Sequence, residues 1–227
     1  MIPLYDTLHS RRFPIVNWLL IILNVLVFLY ENSLSPSALE RLTLTWGLVP
    51  TQLMAHPATV WITIFTAMFL HGGWFHILSN MWVLFIFGDN IEDRLGSARY
   101  LVFYLLCGVA AGLFESFVLQ GSSVPMIGAS GAIAGVLGAY LVLYPRARIA
   151  SLVPILFIFT IIEIPAILFL LFWFVTQLFS GWLTLQGSTG SGIAWWAHVG
   201  GFLFGLLAVN FFVQRRFYSR NSTGFST

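Results

Sequence analysis

Apolar residues in this chain gather into six long runs, near 14–31, 74–90, 98–119, 129–144, 165–184 and 194–213. A bilayer span takes about 20 mostly apolar residues, so each run is read as one transmembrane helix. The first opens near Pro14 and the fourth is closed by Pro145. The stretch 150–184 is too long for a single span. Its first part, Leu152 to Pro165, is rich in β-branched and aromatic residues and is bracketed by Pro154 and Pro165. It is read as an extended or interfacial segment on the cytoplasmic side, with Glu163 at the interface. The fifth span then begins near Pro165, a residue favoured in the first turn of a helix. The connection 32–73 is long and carries Trp46, Trp61 and breaks at Pro50 and Pro57; a connection of that length is usually functional. The connection 185–193 is rich in Gly and Ser, which predicts mobility. The pattern predicts an all-α fold, a polytopic membrane helical bundle of six transmembrane helices. Residues 14–213 form the membrane domain, between a segment 1–13 and a tail 214–227.

Composition fixes the solvent. Of 227 residues 59% are apolar and only 8% charged, against about 25% charged in a soluble domain, so the chain is expected to be an integral membrane protein. Its ten basic residues are all arginines. Arg11 and Arg12 precede the first run, Arg94 and Arg99 separate the second from the third, and Arg146 and Arg148 the fourth from the fifth. Arg215, Arg216 and Arg220 follow the sixth, and only Arg41 falls elsewhere. Basic residues mark cytoplasmic loops, which puts both termini in the cytoplasm. The net charge of +2 reflects that topology and gives no case for nucleic acid. Cys107 stands alone, so it forms no intrachain disulfide and reads as a packing residue. The N-terminus lacks a signal-peptide pattern, and the first run reads as a retained span.

Against this apolar background a few polar residues stand out. With both termini inside, the second, fourth and sixth spans run inward. His76 and Asn80, Ser130, and His198 then lie near the outer starts of three helices, within about two turns at ~1.5 Å rise per residue. His76 and Asn80 are four residues apart, on one face. Ser130 shares its face with Ala134 and Gly138, and His198 with Gly201 and Gly205. Gly131 and Gly135 add another small pair. Small residues at this spacing let membrane helices approach closely, which would bring Ser130 to His198. Taken singly, the serine reads as a helix cap, the histidine as a backbone-bonded core residue and the asparagine as helix–helix glue. None of those readings predicts that all four share one depth.

The shared depth suits acyl transfer. A serine hydroxyl is a weak nucleophile and needs a base within hydrogen-bond reach; the imidazole of His198 is the best candidate. The tetrahedral intermediate needs donors aimed at its oxyanion, which the Asn80 amide, the His76 ring and the Ser130 backbone N–H are placed to supply. No acid lies at matching depth on these three spans, which predicts a Ser–His dyad without a carboxylate. Glu115, near the outer end of the third span, has nothing to orient it toward His198. His71, beside Gly72 and Gly73, reads as structural. No metal site is expected, since no His-Glu-x-x-His occurs.

Three motifs carry a family resemblance: His76-Ile-Leu-Ser-Asn80, Gly128-Ala-Ser130-Gly131, and Ala197-His198 followed by Gly201-Phe-Leu-Phe-Gly205. In this order and on these spans they resemble the rhomboid family of intramembrane serine proteases, in particular bacterial members with a six-helix core. Gly88-Asp-Asn-Ile-Glu92-Asp-Arg-Leu-Gly96 is similar to that family's turn between the second and third helices. The resemblance implies Ser130 as nucleophile, His198 as general base, and His76 and Asn80 in the oxyanion hole, with Gly128, Gly131, Gly201 and Gly205 supporting the motifs. It implies cleavage of transmembrane segments of other membrane proteins in the bilayer, without metal or cofactor, with the fifth helix and the last outer loop gating access. It suggests the cytoplasmic membrane of a bacterium, and sets no oligomeric state. The alternative is a catalytically silent relative that binds or dislocates membrane proteins. Two departures matter. Trp61 is followed by Ile62 and Thr63, where many members carry Trp-Arg. Ala134 stands where some members place a tyrosine that stacks on the catalytic histidine, so His198 must be oriented by another residue, Phe202 or a further aromatic.

Overall fold

The computed structural model describes residues 1–155, 158–186 and 192–214. All six apolar runs are helical. They form α1 (Ile15–Ser33), α6 (Trp74–Leu95), α7 (Ser97–Val118), α8 (Ser130–Leu143), α9 (Ala166–Leu185) and α10 (Trp195–Phe212). Four of these, α1, α7, α9 and α10, are long and apolar enough to cross a membrane alone. α6 qualifies together with residues 63–69, from which it is bent by 95°. α8 has only 14 residues. At ~1.5 Å per residue it is about 21 Å long, short of the ~30 Å hydrocarbon core. Ser130, its first residue, therefore has room to begin below the membrane surface. The chain is a multi-pass membrane protein with a mostly helical fold.

The long connection after α1 is itself folded, as α2 (Pro36–Trp46), α3 (Pro50–Ala55), α4 (Pro57–Val60), α5 (Thr63–Thr66) and a 3-10 turn, Ala67–Phe69. Prolines sit at or beside the first helical position of α2, α3 and α4, where the missing N–H costs nothing. This layer holds the stretch that leads into α8. Leu48 and Met126 exchange both backbone bonds (3.0 and 2.8 Å), and Gly128 N–H donates to Ala67 O at 2.8 Å.

Helix ends in an apolar medium need partners for their free N–H groups. Carboxylates from neighbouring helices supply them. Glu92 on α6 accepts Val16 N–H (3.0 Å) and Asn17 N–H (2.7 Å), capping α1, and also the Ser97 hydroxyl at 2.6 Å. Asn17 in turn donates to Leu84 O and accepts from Tyr100.

The extended segment expected at 152–165 is a β-hairpin of β2 (Arg148–Ile155) and β3 (Ile158–Pro165), in register from Arg148↔Pro165 to Ile155↔Ile158. The N-terminal segment adds a third strand, β1 (Ile2–Asp6), antiparallel to β2. β1 lies along α6 between Trp82 and Asn90. Trp82 Nε1 donates to Pro3 O at 2.6 Å, and Asn90 Nδ2 to Asp6 Oδ2 at 2.9 Å. Tyr140 of α8 donates to the same carboxylate. Residues 156 and 157, the Gly/Ser stretch 187–191 and the tail from residue 215, with Arg215, Arg216 and Arg220, lie outside the described residues.

Candidate active site

α8 and α10 approach each other through glycine. A methyl group on Gly201 would run into the Gly131 carbonyl, one on Gly205 into the Gly135 carbonyl, and one on Gly138 into the Phe202 carbonyl. On its other face Gly135 meets Cys107 of α7, and Gly131 meets Ala111. Backbone contact at this range is open only to residues without a Cβ. It sets the distance between the first turns of α8 and α10, where Ser130 and His198 lie.

Ser130 Oγ is 2.8 Å from His198 Nε2. His198 is buried at 9% exposure. Its Nδ1 is 2.8 Å from the Gln177 side-chain oxygen on α9. Two indoles pack against the imidazole, Trp173 tilted to it (centroids 6.0 Å, 33°) and Trp195 edge-on (5.9 Å, 88°). Phe202 packs on Trp173 and Phe174. The aromatic expected beside His198 is thus a tryptophan pair, with Phe202 one layer behind. Gln177 went unnoticed in the sequence, although it is the one side-chain amide within α9, where an unpaired amide is costly.

Glu115 is next to this site without touching the imidazole. Its Oε2 accepts the Ala197 N–H at 2.6 Å, so a buried carboxylate from α7 caps the helix that carries His198. The sequence showed the acid, but its partner is a backbone group one residue before the histidine.

His76 stands across from Ser130. Gly128 has a left-handed φ of +124°, and a Cβ there would meet His76 Nε2 at 2.7 Å, with Ser130 Oγ at 3.7 Å. Both the backbone conformation and the approach of the ring require glycine. His76 Nδ1 accepts Gly72 N–H at 3.3 Å. Asn80, one turn further along α6, is buried at 7% exposure, and its Nδ2 has no hydrogen-bond partner among the described residues. An unpaired buried donor is costly. Ser130 also borders a cavity of about 20 Å³ walled by Ile64, Met68, Gly108, Ala111 and Ala197, large enough for roughly one water.

His71 takes no part in this pair. Its backbone N–H donates to Glu31 (3.1 and 3.2 Å), and its ring packs edge-on to His76 at 5.0 Å. Among the described residues no group of three His, Cys, Asp or Glu side chains is placed to hold a metal ion.

A serine hydroxyl thus meets a buried imidazole where two glycine-packed helices approach, and sequence comparison supplies the family. The Rhomboid domain model matches residues 58–215, more than half of the chain, and the chain belongs to the rhomboid family. It is 38% identical over 96 residues to RHOMBOID-like protein 1 of Arabidopsis thaliana, covering 42% of this chain and 24% of that protein. It is 37% identical over 81 residues to the putative rhomboid protease YdcA of Bacillus subtilis (36% and 40%), and 34% over 128 residues to rhomboid protease GluP of the same organism (56% and 24%). The chain thus aligns with less than half the length of these relatives.

Proposed function

We propose that this chain is an intramembrane serine endopeptidase that cleaves transmembrane segments of other membrane proteins. The observation that carries the reading is the 2.8 Å contact between Ser130 Oγ and His198 Nε2. The hydroxyl donates its proton to Nε2 as Oγ attacks the scissile carbonyl, and the imidazolium returns that proton to the leaving amine. Water then attacks the acyl-serine, with the same imidazole as base. Asn80 Nδ2, the His76 ring and the Ser130 backbone N–H are proposed to hold the oxyanion; the unpartnered Asn80 donor supports this. The proposed substrates follow from the site's place among apolar helices, and the family's proteases support them.

Residues 14–213 are proposed as the membrane domain, with both termini cytoplasmic, which the arginine positions support. Relatives from Bacillus subtilis support a bacterial cytoplasmic membrane, although others are named mitochondrial or chloroplastic. The test is cleavage of a model transmembrane substrate in proteoliposomes. Wild type is expected to cut it, and Ser130→Ala and His198→Ala to leave it intact. Cleavage by folded Ser130→Ala would refute the assignment, and a substrate that wild type binds without cutting would favour a silent binding protein.

A further inference from the structure

Among the described residues no carboxylate stands on the far side of the His198 imidazole, and an amide takes that position. Gln177 lies on the stripe Leu170, Trp173, Phe174, Gln177 and Gly181 of α9, at a spacing that keeps one helix face toward α10. Both Leu170 and Gln177 are buried on this face. Gly181 lets the helices close up, since a Cβ there would lie 3.0 Å from the Trp196 ring. Gln177 itself is 6% exposed, and a buried amide in an apolar bundle costs free energy unless both of its ends are paired.

Both ends are paired, and the pairing settles which way the amide faces. Gln177 Nε2 donates to Trp173 O at 3.1 Å and to Thr176 Oγ1 at 3.0 Å. The Trp173 carbonyl only accepts, so the NH₂ end must face it. The oxygen end then faces His198 Nδ1 at 2.8 Å. An amide oxygen only accepts, so Nδ1 must carry the proton. In the neutral ring Nε2 is left bare, facing the Ser130 hydroxyl at 2.8 Å. That is the tautomer a general base needs.

We infer that Gln177 is the positioning residue of this site: its oxygen, fixed by the α9 backbone, holds His198 as the Nδ1–H tautomer with Nε2 turned toward Ser130. This inference rests on the proposed Ser130–His198 chemistry. It gives an uncharged amide the orienting task that a buried carboxylate performs in soluble serine proteases. The amide brings no second charge into the bilayer, and it stabilises the imidazolium less. The bond also crosses from α9 to α10, so the base is held in its working tautomer only while α9 is packed on α10.

The test uses full-length protein in detergent or nanodiscs. One arm follows fluorophosphonate labelling of Ser130, and the other the 15N spectrum of the histidine rings, assigned by His198→Ala. Gln177→Met keeps the length of the side chain and removes the acceptor. It should lower the maximal labelling rate about 10²-fold with the probe's half-saturation concentration unchanged, less than the ~10⁴-fold lost when the orienting acid of a soluble triad is replaced. In the same variant the His198 signals should change from one tautomer to a mixture. Gln177→Glu keeps an acceptor at the same reach and should restore the Nδ1–H signal and most of the rate. An unchanged His198 tautomer in Gln177→Met overturns the inference, whether or not the rate falls. Failure of wild type to label while the tautomer signals respond as expected would count against the Ser130 chemistry instead.

Discussion

Glu115 on α7 caps the backbone of Ala197 on α10, with a carboxylate oxygen 2.6 Å from the amide nitrogen. An acid from one helix thus anchors the first turn of another, one residue before the imidazole that faces Ser130. Negative charge at a helix N-terminus is favourable, and the N–H it satisfies is buried. Removing the acceptor leaves that donor unpaired, at a cost of ~1–3 kcal/mol. Glu115→Ala should therefore lower the thermal unfolding midpoint and slow Ser130 labelling, because α10 loses the anchor that sets the height of His198. Glu115→Gln keeps an acceptor and should lose less of both. Equal losses in the two variants would mean that the capping bond is not what matters.

The glycine contacts between α8 and α10 make a sharper demand. A valine side chain at position 205 would have to push the Gly135 backbone away, and forcing extra volume into a packed core typically costs ~1–3 kcal/mol. Gly205→Val should lower stability and also suppress Ser130 labelling, since the same approach sets the serine–imidazole distance. A methyl group added at Gly121 would meet nothing within 4 Å, and Gly121→Ala should leave both measurements at wild type. Wild-type stability and labelling in Gly205→Val would show that the helices do not depend on this contact.

How much of this was legible in the chain follows from what each element needs. The six helices were legible because lipid demands long apolar runs. The pairing of Ser130 with His198 was legible because small residues repeat at helical spacing on both sides. β1 was not: five residues, Ile2–Asp6, carry too little pattern to announce a strand whose partner, β2, follows α8, far along the chain. Gln177, and the backbone partner of Glu115, were hidden for a different reason. Ser130, His198, His76 and Asn80 stand out because their side chains lie near the starts of three apolar helices. Glu115 acts on a backbone N–H, and Gln177 sits near the middle of α9, outside the three helices that carry the motifs.

Asn80 should separate stability from activity. Its Nδ2 is buried without a partner among the described residues, a cost to the resting protein that an oxyanion would relieve. Asn80→Leu removes the unpaired donor at similar volume, so the unfolding midpoint should hold or rise. Hydrolysis of a transmembrane substrate should nevertheless fall by ~10²–10³-fold, the usual loss for one oxyanion donor. A variant that loses stability but keeps its turnover would make Asn80 helix–helix glue.

The N-terminal strand should respond to pH through Asp6. Its carboxyl is held up at about 6, from an ordinary 3.8, chiefly by burial and partly by Asp89, against the lowering effect of the Tyr140 hydrogen bond. An acid whose folded value is raised binds its proton more tightly folded than unfolded. Its contribution is therefore most favourable below about pH 4, declines as pH rises toward 6, and above 6 the buried charge bears its full penalty. Asp6→Asn does not titrate, and its amide can still bond Tyr140 and Asn90. The difference in unfolding midpoint, variant minus wild type, should grow in the variant's favour between pH 4 and pH 7 and then level off. Thermal unfolding in one detergent across that range measures it. A difference that stays flat, or that shrinks as pH rises, would mean that Asp6 is not buried against α6 and α8, and that β1 does not dock there.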